Sequence, residues 1–200
     1  MQTLELLRHI RRAPEVLVAR KSTPALAGLI KRYLQLGDGA YPFCVPLTGG
    51  GSLTLASPGE IRVFWQIFVR GSYALPEPCR TILDCGANVG IFSVWAARHR
   101  AGARIVALEP FPATFAALEA NIRDNRLGHR VRCVPVGLAA ASGHRLIRTD
   151  GDSPDRQLVR SETPDPNEQT IAVLCIDLAE YLRLHGLDDL DLLKMDIEGS

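Results

Sequence analysis

Two hundred residues, 46% of them hydrophobic, suffice for one globular domain with its own core and a small N-terminal appendage. With 23 basic residues against 22 acidic, the net charge is +1, so nothing in the balance demands nucleic acid or an anionic membrane. The five cysteines (Cys44, Cys79, Cys85, Cys133 and Cys175) are odd in number and form no C-x-x-C pair, which argues against a disulfide framework and a zinc site.

No run approaches the roughly 18 apolar residues of a membrane span, and the N-terminus lacks the apolar core of a signal peptide. Reduced, mostly buried thiols and a cytoplasmic location are therefore expected, with no nucleic acid and no integral membrane segment.

Residues 2 to 37 read as helix in two or three pieces, broken at Pro14 and at Thr23-Pro24, where threonine can cap and proline fits a first turn. Leu26, Leu29, Ile30, Tyr33 and Leu34 make one apolar stripe, and Gly37 follows as a stop. The basic residues here, among them Arg20, Lys21, Lys31 and Arg32, fit a solvated helix face better than a membrane or partner surface.

Phe43 to Leu47 and Ser52 to Ala56 flank T-G-G-G and predict a hairpin. Ser57, Pro58 and Glu60 then supply an N-cap, a first-turn proline and a capping-box acid. Ile61, Phe64, Trp65 and Phe68 form the apolar face of that helix, which Gly71 ends. Aromatics at this spacing are core rather than a stacking platform for a ligand.

The stretch T-I-L-D-C-G-A-N-V-G, Thr81 to Gly90, runs a short buried strand into a glycine turn and then into the helical spacing of Ile91, Val94 and Trp95. Gly86 permits a tight turn, and Gly90 would let a ligand or strand approach the first turn of the helix, whose free N–H groups favour an anionic group. The glycines stand at G-x-x-x-G, with Asn88 between them and Asp84 upstream, a poor match to the dinucleotide fingerprint. Arg104 to Leu108 reads as the next strand. Glu109 at its end, about twenty residues past Gly90, can accept both hydroxyls of a ribose. Together Asp84, Gly86, Asn88, Gly90 and Glu109 describe a nucleoside-like ligand without a pyrophosphate.

Pro112 to Asn125 reads as helix with Phe115, Leu118 and Ile122 inward and Gly128 at its end, and Val131 to Val136 as a third strand. Alternating strands and helices with short links predict a parallel sheet with right-handed crossovers. Arg145 to Arg148 and Thr170 to Leu174 form a candidate antiparallel pair joined by the long connection Thr149 to Gln169. Asp177 and Glu180 open a helix through Leu184 that Gly186 stops, and Asp191 to Ile197 is a further strand. Its sequence, D-L-L-K-M-D-I, continues into E-G. Alternation puts Lys194, Asp196 and Glu198 on one side and Leu193, Met195 and Ile197 on the other. Three charges fit the carboxyl end of the sheet, where open α/β folds place ligands, although a Lys194–Asp196 pair could serve structure alone.

D-C-G-A-N-V-G at Asp84 to Gly90, Glu109-Pro110, Asn121 and K-M-D-I-E-G at Lys194 to Gly199 together resemble the FkbM-type family of S-adenosylmethionine-dependent methyltransferases. The likeness runs from about Phe64 to Ser200. It implies an α/β fold with a Rossmann-like class I methyltransferase sheet, strands in the order 3-2-1-4, preceded by an N-terminal helical and hairpin region at 1–56; the methyltransferase domain would occupy 57–200.

The resemblance implies S-adenosylmethionine as cofactor. Gly86, Asn88 and Gly90 would surround its methionine end, Asp84 would orient its amino group and Glu109 would hold the ribose. Phe111 would pack on the adenine, at a position where the family more often has a polar residue. It also implies O-methylation of a sugar, glycolipid or polyketide-like acceptor. Removal of a hydroxyl proton gives Asp196 or Glu198 as base or orienter, with Lys194 beside them. No histidine or third carboxylate supports a metal there. Further C-terminal strands are implied beyond Ser200, so a C-terminally truncated chain is expected.

Two other readings remain. An NAD(P)-dependent oxidoreductase keeps the sheet and Glu109 but lacks the third glycine, and a noncatalytic interaction module would dock through the basic N-terminus.

Overall fold

The computed structural model describes residues 13–37, 39–148, 170–187 and 189–196. The expected helical start before residue 13, the connection 149–169, Ile197 and Glu198 lie outside the described residues. The chain forms two compact units, Met1–Ala74 and Leu75–Ser200.

In the first unit, α1 (Ala13–Ser22) and α2 (Leu26–Tyr33) precede the antiparallel hairpin of β1 (Phe43–Pro46) and β2 (Ser52–Leu55). Pro14 lies in the first turn of α1, and the Thr23 hydroxyl accepts the Ala25 N–H at 3.0 Å where the chain turns into α2. The next helix, α3 (Pro58–Phe64), starts as its sequence predicts. Ser57 Oγ accepts the Glu60 N–H at 3.2 Å, and Glu60 Oε2 reaches back to the Ala56 N–H at 2.7 Å.

The helix then widens into a π turn over Trp65–Val69. The predicted stripe slides accordingly: Ile61, Phe64 and Trp65 are buried as expected, but Ile67 and Val69 complete the core, while Phe68 is half-buried and stacks on Phe64. Trp65 stacks on Tyr33 at 4.2 Å and donates to Glu15 Oε2 at 2.7 Å; Arg70 bonds the other Glu15 oxygen. Through these contacts α3 and its π turn belong to the first unit, so the division falls after Ala74 rather than after residue 56.

The second unit is built on β3 (Thr81–Cys85), α4 (Ile91–His99), β4 (Arg104–Leu108), α5 (Pro112–Asp124), β5 (Val131–Val134) and, from the far end of the chain, β9 (Leu192–Met195). These strands lie in the order β5-β4-β3-β9, every neighbouring pair parallel. That is the 3-2-1-4 order expected. Between β5 and β9, the short β6 (Gly137–Leu138), β7 (Gly143–Arg148) and β8 (Thr170–Ile176) make a second sheet in which β7 and β8 are antiparallel, as predicted. Helix α6 (Leu178–His185) is capped by Asp177, which accepts the Glu180 N–H at 2.9 Å, and ends at Gly186 in the left-handed region.

Leu83, Cys85, Leu108, Leu138 and Tyr181 form the core on one face of the parallel sheet, with Leu193 of β9 packed against them. Three details depart from expectation. In α5 the buried positions are Thr114, Leu118, Asn121 and Ile122, while Phe115 is only half-buried, and the left-handed residue that ends the helix is Arg126 (φ 57°), ahead of Gly128. Met195 does not fill the core: among the described residues β9 pairs with β3 alone, and Met195 is 51% exposed. All five cysteines are free thiols, and among the described residues no helix is long and apolar enough to cross a membrane.

Candidate active site

The turn between β3 and α4 bends through three residues with positive φ: Gly86 (71°), Asn88 (50°) and Gly90 (84°). Asn88 tolerates this region because its short amide bonds locally, and its Oδ1 accepts the Val89 N–H at 2.7 Å. Ala87 N–H donates to Leu108 O at 2.9 Å, which ties the turn to the end of β4. A Cβ at Gly90 would stand 2.6 Å from Leu118 Cδ1. The missing side chain therefore serves the close approach of α5, whereas the sequence suggested room for a ligand or a strand. Asn121, buried in α5, fastens the same turn by donating from Nδ2 to Val89 O at 2.8 Å.

Glu109 follows β4 and is 7% exposed. Its Oε2 accepts the Asn88 N–H at 2.9 Å and its Oε1 accepts the Phe111 N–H at 3.0 Å, so the carboxylate closes over the glycine turn. Burial pushes its pKa above the usual carboxylate value; the N–H bonds from Phe111 and Asn88 pull the other way, Asp84 adds to the rise and Lys194 opposes it. Phe111 is half-buried and packs against Val173 and Cys175 of β8.

The β3–β9 register sets Lys194 directly beside Asp84. Asp84 is fully buried, its Oδ2 accepting from Ser93 Oγ of α4 at 2.7 Å. Lys194 Nζ forms an ion pair with Asp84 Oδ1 at 3.0 Å, and among the described residues Oδ1 takes no hydrogen bond. The same ammonium donates to Gly86 O at 2.9 Å. Asp196 is farther, at 3.7 Å, with its side chain 58% exposed. The Lys194–Asp196 pair read from sequence is thus the weaker contact, and Asp84 is the nearer partner. The charge of Asp84 adds to burial in pushing the Cys85 thiol up to about 12, which leaves that cysteine inert.

The structure therefore brings together Asp84, Gly86, Asn88, Glu109, Lys194 and Asp196 at the carboxyl ends of β3, β4 and β9. Gly90 and Phe111 border the group, and Glu198 lies outside the described residues. Ser93 was not singled out in the sequence. Its one signal is helical position, three residues past Gly90, which turns it back towards the end of β3.

A parallel sheet in this order, with a glycine turn after its first strand and a carboxylate after the second, defines a Rossmann-like α/β fold. The model of the Methyltransferase FkbM domain matches residues 84–200, more than half of the chain, and the chain belongs to that family.

The chain is 27% identical over 185 residues to 31-O-demethyl-FK506 methyltransferase FkbM of Streptomyces tacrolimicus, covering 77% of this chain and 71% of the relative. It is 27% identical over 146 residues to methyltransferase sdnD of Sordaria araneosa, covering 60% and 56%. Among solved structures, methyltransferase FkbM from Methylobacillus flagellatus KT aligns over 88% of this chain and 42% of its own, with 14% identity and a TM-score of 0.43. The chain thus spans just over half of the second relative and less than half of the solved one.

Proposed function

We propose that this chain is an S-adenosylmethionine-dependent methyltransferase acting on a hydroxyl oxygen of a sugar, glycolipid or other natural product. The observation that carries this reading is the Glu109 carboxylate, seated on the Asn88 and Phe111 amides at the carboxyl end of β4. Each of its oxygens spends one lone pair on a backbone N–H and keeps another for a ribose hydroxyl. A second fit comes from Asp84, whose buried Oδ1 faces the Lys194 ammonium but takes no hydrogen bond among the described residues, and so suits the amino group of the methionine end.

Gly86 and Asn88 would border that end through their backbone, with Gly90 letting the helix behind them come close. Phe111, backed by Val173 and Cys175, would supply the wall against the adenine. The cofactor would bring a methyl group activated by a sulfonium. The chain has then to align the acceptor and take its proton. Asp196, exposed at the end of β9, is the base or orienter in this reading, with Glu198 the alternative. A relative named for 31-O-demethyl-FK506 supports an oxygen acceptor on a natural product. The free cysteines fit a reducing, cytoplasmic setting.

The test is transfer of a labelled methyl group from S-adenosylmethionine to a panel of glycolipids and polyketide-like alcohols. Asp196→Asn should leave affinity for S-adenosylhomocysteine unchanged and slow turnover on the order of 10²-fold or more. Normal turnover in that variant would remove Asp196 from the mechanism.

A further inference from the structure

We propose that Lys194 is a positioning residue: its ammonium fixes the Gly86 carbonyl and the buried Asp84 carboxylate, and so holds the turn that receives the cofactor without handling the acceptor's proton. This rests on the methyltransferase reading above.

The peptide unit between Gly86 and Ala87 is held at both ends. Its carbonyl accepts from Lys194 Nζ on β9 at 2.9 Å, and its N–H donates to Leu108 O on β4 at 2.9 Å. A glycine peptide has little intrinsic preference between orientations, so such bonds decide which way it faces. Asn88, whose N–H meets Glu109, follows at once, so the Lys194 contact is transmitted to the carboxylate that would grip the ribose.

Lys194 itself is only 8% exposed, with the face of Phe92 5.8 Å from its ammonium and Asp84, at zero exposure, 3.0 Å away. To act as a base it would have to be neutral, which would leave the buried Asp84 carboxylate without its counter-charge. Asp196, more distant and open to solvent, has no such obligation.

The experiment uses the full chain as Lys194→Met, Asp84→Asn and the double variant. It follows urea stability, hydrogen exchange at the Ala87 and Asn88 amides, and S-adenosylhomocysteine affinity by calorimetry. Lys194→Met alone should be destabilised, because Asp84 is left buried and unpaired; adding Asp84→Asn should recover that stability. The double variant should nevertheless exchange those two amides about ten-fold faster or more than Asp84→Asn alone, the size of one lost hydrogen bond to a charged group, and bind the nucleoside more weakly.

A double variant that matches Asp84→Asn in both readouts would overturn the proposal and reduce Lys194 to a counter-charge. If wild-type protein binds no S-adenosylhomocysteine, the methyltransferase reading falls, while amide exchange still decides the role of Lys194.

Discussion

Gly90 shows how one residue type can be required for a reason other than the obvious one. Its φ of 84° and the 2.6 Å approach of Leu118 to the place of a Cβ both exclude a side chain. Gly90→Ala should therefore cost about 1–3 kcal/mol in chemical denaturation, from backbone strain and overpacking together. An unchanged midpoint would mean that α5 yields freely.

Glu109 sets a second expectation at this scale. Burial raises its pKa, so the folded chain holds that proton more tightly than the unfolded one. The group's contribution to stability is then full below its unfolded value and lost as pH rises through the raised folded value. Ligand binding has the opposite preference, because ribose hydroxyls need the ionised form as acceptor. Affinity for S-adenosylhomocysteine should therefore begin to fall, as pH is lowered, before the range in which an ordinary glutamate protonates is reached. A flat profile would contradict this. The sequence made the glycine turn and Glu109 legible because both follow strands. It could not show that Glu109 would spend lone pairs on Asn88 and Phe111, which depends on how the two loops meet.

Among the elements, β9 is decisive, since it carries Lys194, leads into Asp196 and, among the described residues, pairs with β3 alone. Its N-terminal end is fixed by Asp191, whose Oδ2 accepts the N–H groups of Arg80 at 2.6 Å and Thr81 at 2.8 Å. Those bonds hold the Asp191 carboxyl below its usual range. With a depressed folded value, this contribution to stability is present above the unfolded pKa and lost as pH falls through the folded one. Asp191→Asn should lower stability at neutral pH and make its decline in acid shallower, as urea titrations across pH would show. Parallel curves for variant and wild type would rule the staple out.

That β9 is a strand was readable from its alternation. Its register was not, because alternation gives the side of a residue and not its neighbour across a gap of more than a hundred residues. Lys194 was accordingly matched with Asp196, its neighbour in sequence, when Asp84 is nearer. The π turn at Trp65–Val69 was hidden for a related reason: a helical stripe at Ile61, Phe64, Trp65 and Phe68 contains no mark of one extra residue per turn.

For the whole molecule, alternation of strands and helices gave the parallel sheet, and the family resemblance implied the order of its strands. The boundary between units was less legible. Ser57, Pro58 and Glu60 announce a new helix, and a new helix can open a domain or close one. Contacts made at a distance in sequence, from Trp65 and Arg70 to Glu15, assign it to the N-terminal unit.

All three scales converge on one claim, that the carboxyl end of the parallel sheet receives a methionine-bearing nucleoside held by Glu109. Calorimetric titration of S-adenosylhomocysteine, with NAD as control, into wild-type protein and into a folded Glu109→Ala variant tests it most directly. The account predicts saturable binding to the wild type, at least about ten-fold weaker binding to the variant, consistent with loss of a hydrogen-bonded carboxylate, and no heat from NAD. Equal affinity of the two proteins for the nucleoside, or binding of NAD alone, would contradict it.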